Sequence, residues 1–228
     1  MIILLILIIN LQIITTLEVP YYYNPKIHNL GNIGVRGKIH ANLFYYTTKL
    51  VDNVRYDGRD IRKEVYSKYK NENILDLCCG IGMSTAENGI GIDTSLEMLN
   101  KAKSIKKKAK FFYGNAESYT PKIDIDIVTC MFALHEMPLM AQINVINNGL
   151  RIARKEFIIV DIASDFKNKK PSKLFLRGEP YLIDYLNNID YLTRNFEKIN
   201  YIPNNVDVWI YKKSKAKKIE NSIYTKYL

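Results

Sequence analysis

The spacing of apolar residues changes three times along this chain, and each change marks a different kind of segment. From Met1 to Leu17 the apolar run is almost unbroken, with Asn10 and Gln12 as its interruptions. Val19 to Gly37 has no period and carries Tyr21-Tyr22-Tyr23 together with Gly31, Gly34 and Gly37, which reads as ordered but irregular chain. Lys38 to Val54 then places Ile39, Leu43, Tyr46 and Leu50 at helical intervals, and Asp60 can cap a second short helix running to Tyr69. Residues 18–70 therefore read as a lid-like preface.

From Asn73 onward short apolar runs alternate with helical spacings, the pattern of a parallel α/β sheet. Strands are expected at Asn73–Leu77, Ile90–Asp93, Lys110–Tyr113, Ile123–Cys130 and Glu156–Ile162. Thr94 and Glu97 form a capping box for a helix through Leu96, Leu99 and Ala102. Leu139, Ile143, Ile146 and Leu150 mark another helix, and a further one is expected around Pro180–Phe196. Two closing strands, Glu197–Ile202 and Val206–Tyr211, are joined by Pro203-Asn204-Asn205 and add antiparallel pairing at the sheet edge. The sheet-forming domain spans 71–213, and a basic tail occupies 214–228.

Composition changes this picture in two places. With 47% hydrophobic residues among 228, the chain can build a full core. The net charge of +10 rests on Lys far more than Arg, which favours a solvated surface over a dedicated nucleic-acid groove. Three cysteines, two of them adjacent, cannot make a disulfide framework, and no Cys/His spacing reads as a zinc site. No metal is expected. As a helix, residues 1–17 would span roughly 25 Å, slightly less than a ~30 Å hydrocarbon core. A membrane anchor or uncleaved signal, a cleaved signal core and a buried element all stand as readings. The anchor fits best, because Lys26, Arg36, Lys38 and Lys49 follow the run and would keep the rest of the chain cytoplasmic. Without an anchor, the cytoplasm or the secretory pathway remains.

The chemistry centres on Asp76-Leu77-Cys78-Cys79-Gly80-Ile81-Gly82, an apolar strand that ends in a glycine-bearing turn. A loop between a strand and a helix start offers backbone N–H groups to a carboxylate or phosphate, and small residues let the ligand approach. Gly91-Ile92-Asp93 ends a second strand on a carboxylate able to accept two hydrogen bonds from a ribose diol. A dinucleotide site would use the same two features.

Four stretches in order make the pattern more specific. The Asp76–Gly82 segment resembles the first motif of class I S-adenosylmethionine-dependent methyltransferases, and Ile92-Asp93-Thr94-Ser95 with Met98-Leu99 resembles the second. Gly114-Asn115-Ala116-Glu117 resembles the third. Asp124 to Val128 followed by Met131-Phe132-Ala133-Leu134-His135-Glu136-Met137-Pro138 resembles the fourth strand and its loop, most like the ubiquinone/menaquinone-biosynthesis type. The resemblance covers about residues 71–213. It implies an α/β, Rossmann-like sandwich with a mostly parallel seven-stranded sheet and an antiparallel C-terminal hairpin. It also implies S-adenosyl-L-methionine as cofactor. Gly80 and Gly82, with Cys78 in place of the first glycine, would hold the methionine part, and Asp76 would orient it. Asp93 with Thr94 would bind the ribose, and Asn115 and Ala116 the adenine. Met131 and Phe132 would border the reacting centre.

Asn115 stands where Asp is usual, and its carbonyl can still accept from an adenine amino group. Residues Met83 to Gly89 leave about two turns for the first helix of the fold. His135 is a candidate general base, with Glu136 second, and Asp161 at the end of the fifth strand is a weaker substrate-site candidate. Cys79 and Cys130 read as small core residues, and Tyr21–Tyr23 as packing before an aromatic clamp. The implied activity is in-line methyl transfer to a small or lipid-like acceptor. RNA or protein methylation, with Lys101–Lys110 and the basic tail as contacts, and a non-catalytic interaction role are the alternatives. Oligomeric state is not legible.

Overall fold

The computed structural model describes residues 20–21, 23–169 and 172–213. The apolar segment 1–17 and the basic tail 214–228 lie outside the described residues. Within them, no helix is long and apolar enough to cross a membrane.

The strands are β1 (Ile74–Leu77), β2 (Ile90–Asp93), β3 (Lys110–Tyr113), β4 (Ile125–Met131), β5 (Ala153–Ile162), β6 (Glu197–Ile202) and β7 (Val206–Lys212). They form one seven-stranded sheet in the order β3-β2-β1-β4-β5-β7-β6. All pairings from β3 to β5 are parallel, and β7 pairs antiparallel with both β5 and β6. The expected Rossmann-like sheet is present, with the closing hairpin folded so that β7 lies inside the sheet and β6 at the edge. The helices are α1 (Gly34–Arg55), α2 (Ile61–Tyr66), α3 (Leu96–Ile105), α4 (Leu139–Ile152), α5 (Lys173–Gly178) and α6 (Leu182–Leu192).

Side chains alternate across each strand, so the central strands β1, β4, β5 and β7 feed two cores. Leu75, Leu77, Val128, Cys130, Phe157, Ile159 and Trp209 pack with Ile143 and Ile146 of α4 and with Leu182, Leu186 and Ile189 of α6. On the other face Ile74, Ile127, Ile158, Val160 and Val208 pack with Ile61 and Val65 of α2. Each such fully buried aliphatic side chain contributes about 1.5–3 kcal/mol of transfer free energy. Because β1 has β2 on one side and β4 on the other, chain order reverses there, and a crevice opens at the carboxyl ends of those strands.

Four local expectations are corrected. The helical stripe of α1 points outward: Leu43, Tyr46 and Leu50 are 49%, 70% and 63% exposed. Its buried face is Gly37, His40, Ala41, Thr48 and Asp52, because specific polar partners await His40 and Asp52 beneath it. The α3 cap is Ser95, whose hydroxyl accepts from the Met98 amide at 3.1 Å, rather than Thr94. The short helix after the first turn does not form, and residues 81–89 are turns and bends. There Ser84 and Thr85 turn their hydroxyls onto Asp76, a local bonding pattern that competes with helix. Finally, the span around Pro180–Phe196 forms α6 only from Leu182, after the separate short α5. Asp60 does cap α2, accepting from the Lys63 amide at 3.1 Å.

Candidate active site

The turn after β1 is tied to β2 at two points. The Cys79 amide donates to the Ile92 carbonyl at 2.9 Å, and the Gly80 amide donates to Asp93 Oδ2 at 2.8 Å. Asp93 Oδ1 accepts from the Ser95 amide at 2.8 Å, so one carboxylate joins the turn to the start of α3. Burial of Asp93, only partly offset by those amides, lifts its pKa to about 6. Cys78, Gly80 and Gly82 all adopt left-handed backbone, with φ of 57°, 52° and 80°. For Cys78, a residue with a Cβ, this conformation carries strain of about 1–2 kcal/mol.

Asp76 sits behind the turn rather than at its surface. It is fully buried and accepts from the hydroxyls of Ser84 (2.7 Å), Thr85 (2.8 Å) and Thr129 (2.8 Å). Burial raises its pKa, and the three hydroxyls act in the opposite direction. Its evident role is to hold the shape of the segment that carries Ser84 to the cleft. The cysteines supply no thiolate: a hydrogen bond with Cys130 and burial hold the Cys78 thiol well above its ordinary range, and burial does the same to Cys79.

The crevice is closed over by the N-terminal segment into a cleft of about 1000 Å³, counting the solvent at its mouth. Cys78, Gly80, Asp93, Thr94, Ala116, Met131, Phe132 and Glu136 line its sheet side, so these sequence-predicted residues converge on one space. Tyr23, His28, His40, Phe44 and Arg62 line the opposite wall. Gly82, Asn115 and His135 are not at the wall. Asn115 is engaged in its own turn, accepting from the Glu117 amide at 2.9 Å. Of the tyrosine cluster, Tyr23 lines the cleft and its hydroxyl accepts from the Asn32 amide at 3.1 Å, whereas Tyr21 is 71% exposed and Tyr22 lies outside the described residues.

Phe132, just past β4, is like Cys78 and His28 a non-glycine residue held left-handed at the cleft, with φ 55°. Its amide donates to the Val160 carbonyl at 2.7 Å, and the Arg62 guanidinium lies 4.2 Å from its ring centroid. Arg62 is in turn paired at 3.2 Å with Asp52, on the buried face of α1. Beyond Phe132 lies a polar cluster. His28 Nε2 is 3.2 Å from both Glu136 Oε1 and Glu179 Oε1, and His135 Nε2 is 3.7 Å from Glu179 Oε2. His135 Nδ1 lies 2.5 Å from Asp161 Oδ1, and Asp161 Oδ2 accepts from the Leu134 amide at 2.9 Å. Asp161 is therefore closed off from the cleft and holds the loop after β4 in place. Burial opposes charge on His135, but Asp161, Glu179 and Glu136 outweigh it and lift its pKa to about 9. Burial likewise disfavours charge on Glu136, yet His28 and His135 outweigh it and lower its pKa. At neutral pH His135 is thus already protonated and Glu136, at the cleft wall, is ionised.

Sequence reading missed His28, His40, Arg62 and Glu179. They lie far from the four motifs along the chain, and the one signal available was that the chain holds only three histidines. In the fold His28 and His135 share Glu179, and the His28 and His40 rings stand 5.2 Å apart. The basic stretch Lys101–Lys110 also looks different in three dimensions: Lys106 turns inward to the Thr85 carbonyl, 4.8 Å from the Tyr66 ring centroid.

No protein-family model matches the chain, and no curated protein matches it in sequence. Solved structures do match in fold. A TehB-like SAM-dependent methyltransferase from Corynebacterium glutamicum superposes with a TM-score of 0.54 at 14% identity, over 77% of this chain and 99% of that one. An O-methyltransferase family protein from Burkholderia thailandensis gives 0.58 at 13% identity, over 80% of this chain and 61% of that longer one. The plantazolicin methyltransferase BpumL in complex with SAH gives 0.51 at 15% identity, over 78% and 90%. The sheet and its flanking helices are those of the Rossmann-like methyltransferase fold.

Proposed function

We propose that this protein is an S-adenosylmethionine-dependent methyltransferase acting on a small or lipid-like acceptor. The observation that carries the reading is the single cleft in which the Gly80 turn, Asp93, Ala116 and the Met131-Phe132 corner meet at the sheet's switch point. Chemically the residues suit such a donor. A Cβ built on Gly80 would meet nothing within 4 Å, so the turn presents open main chain to the cleft. Asp93 is the acceptor for a ribose diol, and Ala116 gives a small, flat wall for an adenine ring. When bound, the donor supplies an electrophilic methyl group.

The chain itself binds, orients and excludes water. Asp76 with its three hydroxyl partners and Asp93 with its two amides hold the donor side rigid before any ligand arrives, which favours positioning for an in-line transfer. Met131 and Phe132 border the reacting centre, and the strained Phe132 backbone fixes that edge against Arg62. The N-terminal segment closes the far wall and keeps water out. Glu136, ionised and facing the cleft, is placed to take a proton from the acceptor. His135 is a positioning residue, held by Asp161 behind the wall. The inward turn of Lys106 removes one cation from the Lys101–Lys110 stretch and so weighs against RNA as the acceptor.

Calorimetric titration with S-adenosylmethionine tests this reading, with wild type beside Asp93→Ala. Binding to wild type and a loss of at least tenfold in the variant are expected, since one charge-assisted contact is worth about 1.5–3 kcal/mol. Absence of binding to the folded wild type, or equal affinity in the variant, would overturn it.

A further inference from the structure

We propose that His28, His135 and Glu179 form a binding site for a first-row divalent transition cation, with the Glu136 carboxylate beside it. One donor atom from each of the three lies within 4.8 Å of the others. Two are imidazoles and one a carboxylate, a donor set suited to zinc, cobalt or iron in the divalent state. A tetrahedral ion bonded at ~2.0–2.1 Å holds its donors roughly 3.3 Å apart. His28 Nε2 lies 3.2 Å from Glu179 Oε1 and His135 Nε2 3.7 Å from Glu179 Oε2, so each imidazole faces one oxygen of the same carboxylate at about that spacing.

Three further observations point to a ligand here. Glu179 is only 9% exposed, and its Oε2 is buried without a hydrogen-bond partner, as is His28 Nδ1. Asp161 accepts from His135 Nδ1 while also taking the Leu134 and Ile162 amides, which makes it an acceptor-only carboxylate. His135 Nε2 is thereby turned toward Glu179 Oε2, 3.7 Å away and beyond hydrogen-bond distance. A carboxylate behind an imidazole is the arrangement that orients metal-ligating histidines and raises their basicity. Three carboxylates, Glu136, Glu179 and Asp161, also converge with only histidines as ion-pair partners among the described residues.

The topology gives the site a consequence. His135 belongs to the loop after β4, Glu179 follows α5, and His28 comes from the N-terminal segment, so one ion would fasten that segment over the cleft. The site stands on these side chains alone and does not depend on the methyl-transfer reading.

The test uses cobalt(II) and no methyl donor. The purified full chain is loaded with Co²⁺ and freed of excess ion by gel filtration. Its cobalt content and visible spectrum are then read, together with thermal unfolding. About one ion per chain is expected, with d–d bands and no thiolate charge-transfer band, because the ligands are nitrogen and oxygen. Glu179→Gln and His28→Gln should each bind at least tenfold more weakly, while Cys78→Ser should keep the wild-type spectrum. Folded wild type that retains no cobalt, equal retention in both Gln variants, or a thiolate band that Cys78→Ser removes would each overturn the site.

Discussion

Gly80 and Gly82 are two residues apart in one turn and both left-handed, yet they answer to different demands. At Gly80, alanine brings only the strain of left-handed backbone, about 1–2 kcal/mol, offset by about 0.4–1 kcal/mol from a stiffer unfolded chain. Its new methyl enters open cleft, with nothing within 4 Å. At Gly82 the same methyl would lie 2.8 Å from Phe111 Cζ and 3.2 Å from Ala102 Cβ. Phe111 is 5% exposed and Ala102 fully buried, so neither can yield, and overpacking adds about 1–3 kcal/mol. Gly82→Ala should therefore lose roughly 2–4 kcal/mol of stability, and Gly80→Ala about 1 kcal/mol or less. Urea unfolding midpoints measure this half of the contrast. Calorimetry with S-adenosylmethionine measures the other half, in which Gly80→Ala should weaken binding at least tenfold because its methyl occupies ligand space. If Gly80→Ala binds like wild type, or destabilises the chain as much as Gly82→Ala does, the turn is a packing device and not a donor cradle.

Three further outcomes follow from buried charge. Asp93 holds its proton to about pH 6 when folded against an ordinary value of 3.8, so the folded chain binds the extra proton between those values and stability falls as pH rises through that window. The ionised form is the one that accepts from a ribose, so donor affinity should drop about tenfold from pH 7.5 to pH 5, and a flat calorimetric profile would contradict this. Thr129→Val removes a 2.8 Å hydrogen bond to the buried Asp76 carboxylate and should cost about 1.5–3 kcal/mol; an unchanged unfolding midpoint would show that Asp76 does not depend on it. Arg62→Met leaves Asp52 buried without its 3.2 Å partner and should cost about 3–5 kcal/mol, whereas adding Asp52→Leu should recover part of the loss. Additive destabilisation in that double variant would mean the pair is not coupled.

The parallel core was legible in the sequence because strand periodicity and the strand–turn–helix motifs are local. Ile90–Asp93 and Lys110–Tyr113 form strands over the expected residues, since each is a short apolar run closed off by turn chemistry. The sheet side of the cleft was legible for the same reason: Cys78, Gly80, Asp93 and Ala116 sit at fixed offsets from strand ends, and the topology carries those ends to one edge. Helix capping was less so. Ser95 displaced Thr94 by one residue because the bend after Asp93 decides which hydroxyl reaches the Met98 amide.

What only the tertiary structure decided is how the N-terminal segment forms the far wall of the cleft. Apolar spacing in α1 pointed to a buried stripe, but the stripe faces outward because long-range partners for His40 and Asp52 select the opposite face. The meeting of His28, His135 and Glu179 joins positions up to 151 residues apart, by 179 − 28 in the numbering, and no local pattern encodes it. The turn at Cys78–Gly82 could be recognised from its own residues, since its shape depends on backbone it carries with it. Its opposite wall could not, because that wall exists only where distant charges and rings are brought together to bury each other.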